Sequence, residues 1–107
     1  MFAWVPVNVT EPRVRHQEGL PSDPHRQDLP LAALLVIDEA PDGVFLFRFS
    51  QSGEDAGDTW HQSVDDAKHQ GMFEYGPLSW RSAPPELQKI PVLVRSLLEK
   101  GDKDQQG

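Results

Sequence analysis

His61, Asp65 and His69 recur at intervals of four residues. On a helix such residues project side by side from one face. Two imidazoles and a carboxylate placed that way can ligate a divalent metal or share acid–base work. The helix expected to carry them starts after Ser63, so His61 precedes its first turn. Asp65 and His69 also fall away from that helix's apolar stripe, where side chains are ordinarily solvated. The solvated-face reading is therefore preferred. No metal and no cofactor is assigned, and His61, Asp65 and His69 stand as candidates only.

Four further features bear on chemistry or binding. The stretch Gly53-Glu-Asp-Ala-Gly-Asp58 is rich in oxygen ligands and glycine, as calcium loops are, but it lacks the EF-hand order and its closing bidentate Glu. It reads as a polar connection, with Glu54, Asp55 and Asp58 as partner-binding candidates through charge. Phe73 lies opposite the apolar stripe of its helix, among Asp66, His69 and Gln70. A large aromatic there needs a second surface, supplied by the chain itself or by a partner. Trp4, Trp60 and Trp80 read as core and lid packing, and no basic–aromatic platform for single-stranded nucleic acid accompanies them. The sequence has no Gly-rich phosphate loop with Lys, no dinucleotide fingerprint and no nucleophile elbow. Ser50, Ser52, Ser63, Ser79 and Ser82 have no evident base partner, so no catalytic residue is assigned.

Charge is distributed unevenly. Of the net −7, residues 38–66 carry all of it: Asp38, Glu39, Asp42, Glu54, Asp55, Asp58, Asp65 and Asp66 face a single base, Arg48. Residues 1–37 sum to −1 and residues 67–107 to +1. Such a field repels phosphate backbones, which disfavours DNA and RNA. It favours a basic protein partner, or simply solubility. The 107 residues contain no cysteine, which removes disulfides, zinc ribbons, iron–sulfur sites and thiol catalysis. A cytosolic setting is expected. No apolar run approaches the ~20 residues of a spanning helix, and Met1 to Asn8 lacks the basic and apolar regions of a signal peptide. Hydrophobic residues are 37% and prolines number 10, so a small core with irregular flanks is expected.

These candidates need a frame. Leu31 to Ile37 is a short apolar run. Asp38 to Gly43 is rich in turn formers, and Val44 to Ser50 alternates. Together they predict a β-hairpin over 31–50. Phe45, Phe47 and Phe49 share one face, which is expected to meet the helices; Val44, Leu46 and Arg48 share the other. Residues 51–58 read as a loop and Thr59 to His61 as a short strand with Trp60 turned inward. Residues 63–75 predict a helix, with Ser63 as N-cap and Gly76-Pro77 as its end. Val64, Ala67, Gly71 and Tyr75 form its buried stripe, and Gly71 should allow close approach to the sheet. Residues 84–100 predict a second helix broken at Pro91, with Gly101 as its cap and a polar tail over 101–107. Phe2 to Val9 is β-prone, and Pro6 confines it to an edge, within the chain or across a homodimer. Residues 10–30 read as loop or disorder between that strand and a main domain over 31–100.

The stretch Gly57-Asp-Thr-Trp-His61, followed by Ser63, Asp66, Ala67, Gln70 and Glu74-Tyr-Gly76, resembles a C-terminal motif of small uncharacterised bacterial proteins. There a strand and a Thr-x-His step lead into a helix ending in an acidic–aromatic–Gly cap. The resemblance covers residues 57–76, implies a bacterial cytosolic protein and transfers no catalytic residues. The expected fold is α+β, a small antiparallel sheet with two helices packed on one face. The expected role is a non-enzymatic acidic interaction module, such as a small regulator or an immunity-type inhibitor. A metal-binding or metal-dependent protein using the His61, Asp65 and His69 face, and a structural homodimer, are the alternatives.

Overall fold

The structure, a computed structural model, describes residues 1–7, 9, 13, 16–18, 27–83, 90 and 93–99. The predicted hairpin is its centre. Strands β4 (Leu34–Ala40) and β5 (Gly43–Phe49) pair antiparallel in unbroken register from Leu34↔Phe49 to Ala40↔Gly43. The turn is tighter than the run of polar residues suggests. Only Pro41 and Asp42 lie outside the ladder, so Asp38 and Glu39 belong to β4. The short N-terminal strand β1 (Phe2–Trp4) pairs with β4, and β6 (Asp55–His61) pairs with β5, giving the order β1-β4-β5-β6. Phe2 also exchanges two backbone bonds with Arg81, each 2.8 Å, so β1 is held on both flanks within the chain. Within 10–30, where a loop or disorder was expected, β2 (Gln17–Glu18) and β3 (Gln27–Asp28) form a separate two-stranded ladder.

The α+β class is as expected; the placement of the helices is not. Helix α1 (Val64–Tyr75) packs on Leu35, Ile37, Val44 and Leu46. Helix α2, over residues 93–99, buries Leu93 and Val94 against Phe2, Leu34 and Val36. Successive residues of a strand point to opposite faces, so the two helices cover opposite faces of the sheet. The reason lies in Leu34 to Ile37, all buried: a continuous apolar run needs cover on both sides. Of the two described helices, the Phe45–Phe47–Phe49 face lies toward α2, where Phe47 and Phe49 pack on the cluster that holds Leu93 and Val94. The predicted break at Pro91, the cap at Gly101 and the tail over 101–107 lie outside the described residues.

Local chemistry fixes α1. The Ser63 side chain accepts a 3.1 Å bond from the Asp66 amide, and Asp65 and Asp66 face the positive end of the helix. Gly76, at φ +82°, returns its N–H to the Met72 carbonyl at 2.8 Å and ends the helix. Gly71 is buried where a Cβ would meet Leu78, Leu35 and Trp80 at 3.2–3.4 Å, so its missing side chain lets α1 lie close to the sheet.

Candidate functional site

Arg48 follows Val44 and Leu46 on the α1 face of β5, so its side chain enters the core with theirs. It is wholly buried, at 0% exposure. Its answer comes from Glu74, which stands beside Ala67, Gly71 and Tyr75 among the buried residues of α1 and is 2% exposed. The contact is bidentate: Arg48 Nε donates to Glu74 Oε1 at 3.0 Å and Nη2 to Oε2 at 2.5 Å. Such a fork is the strongest geometry available to a guanidinium and a carboxylate. Neither group would be tolerated there alone.

The pair is fully dressed. Gln70 Nε2 donates to Glu74 Oε2 at 2.7 Å, and the His16 ring donates from Nε2 to Oε1 at 2.7 Å. Arg48 also donates to the Leu46 carbonyl at 3.3 Å and, through Nη2, to Thr59 Oγ1 at 3.2 Å. Burial pushes the Glu74 carboxyl up, but the bonds from Arg48, Gln70 and His16, with the charge of Arg48, outweigh it and hold the group below its ordinary value. Tyr75 is pushed up to about 12 by burial and by the charge of Glu74. The seam therefore holds one ionised pair and a neutral phenol at ordinary pH.

A backbone irregularity admits His16. The step from Phe47 to Phe49 on β5 is matched by the longer step from Asp58 to Asp55 on β6, a bulge that includes Gly57. Gly57 has φ +111°, and a Cβ there would lie 3.0–3.3 Å from His16 ring and Cβ atoms. Glycine thus serves both the conformation and the approach of the imidazole.

Outward from Arg48 the bonds continue as a chain. Thr59 Oγ1 lies 2.6 Å from His61 Nε2, and His61 Nδ1 lies 3.2 Å from Asp66 Oδ2. Arginine can only donate, so the Thr59 oxygen accepts from it and its hydrogen is free for His61. With Nδ1–H on Asp66, every group is satisfied; this tautomer is assigned from the bonding pattern. Hydroxyl, imidazole and carboxylate stand in the order of a nucleophilic relay. Here, however, Thr59 is committed at both ends, to Arg48 and to His61. The arrangement ties an interior charge pair to the surface at Asp66 and orients β6 on α1.

The metal candidates are distributed differently from the helical reading. His61 is on β6, buried, and joined to Asp66 rather than Asp65. Asp65 and His69 are exposed on α1. Among the described residues no three His, Cys, Asp or Glu side chains gather as a metal-holding group. In the glycine-rich stretch, Glu54 accepts from Ser52 Oγ at 3.1 Å, and Asp55 accepts from the Gly57 amide at 3.0 Å. Asp55 to Asp58 are strand rather than loop. Phe73 is 52% exposed, with the Arg13 guanidinium 5.6 Å from its ring centroid.

Trp60 is not in the core. It pairs with Phe45 on the α2 face and is 52% exposed, while the polar Thr59 and His61 turn toward α1. The demand of Arg48 for acceptors explains the inversion. Glu54, Asp55 and Asp58 are exposed, as are Asp38, Glu39, Asp42, Asp65 and Asp66.

Sequence reasoning missed the Arg48–Glu74 pair, and one signal for it existed. Each is a charged residue in an otherwise apolar register, one on a strand and one on a helix. Gly57, Thr59, His61, Ser63, Asp66, Gln70, Glu74 and Gly76 each have a place in this seam or in the caps of α1, whereas Asp58 and Trp60 face the other way. The chain matches no protein-family model, no curated protein and no solved structure. Among the described residues no helix is long and apolar enough to cross a membrane.

Proposed function

We propose that the chain is a non-enzymatic interaction module whose 38–66 segment engages a basic protein. One observation carries this reading. All eight carboxylates of the segment are exposed, while its single base, Arg48, is buried and neutralised by Glu74. The surface that this segment presents is more acidic than its composition, because the only opposing charge is spent inside. An anionic surface of this kind steers a cationic partner and speeds its association. A small regulator and an inhibitor of a basic protein both fit.

Affinity capture from host lysate at low salt, against a charge-matched acidic control, supplies the partner. Association rates are then measured across ionic strength. Replacing Glu54, Asp55 and Asp58 by lysine should slow association about tenfold or more and flatten its salt dependence. A captured partner whose association rate is the same with the triple variant overturns this reading.

A further inference from the structure

We infer that the uncovered end of the outer sheet face, the row Asp38–Phe45–Trp60 with Asp58 beside it, receives an arginine side chain of the basic partner. This rests on the acidic-module reading and names its point of contact. Asp38 is in register with Phe45, and Phe45 with Trp60, so the three stand in one line across β4, β5 and β6. Asp58 lies two residues before Trp60 on the same face, opposite Phe47. An aromatic pair is thus flanked by carboxylates.

Among the described residues nothing covers the end of the row at Trp60. Helix α2 covers Phe47 and Phe49, whereas Phe45 and Trp60 belong to neither core cluster. The Trp60 indole occupies the space that a Cβ on Gly43 would need. Gly43 therefore backs one side of the ring, and the side chain is still 52% exposed. Phe45 in turn stacks on Phe47, with centroids 5.8 Å apart, which anchors the row to the covered part of the face.

Chemistry selects the occupant. A purely apolar partner would strip water from Asp38 and Asp58 and return no hydrogen bond. A cation meets the ring face and the carboxylates together. Arginine does so best, because its planar guanidinium stacks on an indole while its edge donates to carboxylate. The same chemistry is present elsewhere among the described residues. Phe73, also 52% exposed, has the Arg13 guanidinium 5.6 Å from its ring centroid. Trp60 has no such cation among the described residues, and the only base in its own segment, Arg48, points through the opposite face.

The test titrates the full chain at low salt with a short arginine-rich peptide, and with the same peptide carrying citrulline, a neutral near-isostere. Binding is followed by calorimetry and by the Trp60 indole N–H resonance. The arginine peptide should bind and shift that resonance, and the citrulline peptide should do neither. Trp60→Leu should weaken binding about tenfold. Asp38→Asn with Asp58→Asn should weaken it more than the matched pair Glu54→Gln with Asp55→Asn. Circular dichroism checks that each variant is folded. If Trp60→Leu binds as tightly as the parent, or the indole resonance does not move on binding, this site is overturned and the acidic-module reading stands. If the captured partner's association ignores the lysine triple variant, that wider reading falls instead.

Discussion

The two faces of the sheet treat charge in opposite ways. Under α1, Arg48 and Glu74 are taken out of water as a matched pair, and Gln70, His16 and Thr59 occupy the remaining bonding positions. On the outer face and along β6, Asp38, Asp58 and their neighbours are left in water without a base from their own segment. Buried charge specifies a packing geometry, because a misplaced helix would leave it unpaired. Exposed charge of one sign does little for the fold and much for what approaches it. The contrast separates the residues that hold this protein together from those available for recognition.

The largest expected effect breaks the inner pair. Arg48→Met or Glu74→Leu alone strands a buried ion and should cost ~3–5 kcal/mol in denaturant unfolding. The double replacement should recover most of that loss, because the apolar pair needs no partner. Additive losses would show that Arg48 and Glu74 are not each other's main support. The pH dependence has a definite sign. Glu74 is held below 4.5, its unperturbed value, so its contribution is fully present above that pH. It is lost as pH falls through the lower folded value. The acid limb of the melting temperature should therefore be flatter in the Glu74→Leu, Arg48→Met double variant than in the parent.

A smaller effect is expected at the bulge. Gly57→Ala meets both an unfavourable φ and the His16 ring, and should cost ~1–3 kcal/mol. Removing the ring with His16→Ala in the same chain should relieve only the steric part. Smallest of all, neutralising Glu54, Asp55 and Asp58 to their amides should change stability by less than ~0.5 kcal/mol. Melts at low and high salt check this. A larger loss would move these residues to the structural side of the contrast.

The sequence made some of this legible and hid the rest for physical reasons. The hairpin and α1 were readable because their signals are local: alternation over Val44 to Phe49, the turn formers that precede it, Ser63 and Gly76 as caps. Gly71 was readable because its place in the stripe already implied a close approach. The two-sided cover of the sheet was not, since a run such as Leu34 to Ile37 declares burial without saying what covers each side. Arg48 with Glu74 and His16 with Glu74 join residues 26 and 58 positions apart, and no spacing rule reaches that far. The expected inward Trp60 shows the cost of ranking by hydrophobicity alone. The interior of β6 went to Thr59 and His61 because a buried guanidinium needed oxygen nearby.

The pairing of β1 sets an order of events on the ribosome. Phe2 bonds on one side to the strand at Leu34–Ala40 and on the other to Arg81, and Met1 accepts from the Ile37 amide. The earliest strand of this sheet in chain order is thus among the last of its strands to be enclosed. The hairpin closes over short chain distances and has its partners early; Phe2–Trp4 must wait until residue 81 has emerged. During that interval Phe2 and Trp4 are uncovered aromatic side chains on a nascent chain, exposed to whatever attends the exit tunnel.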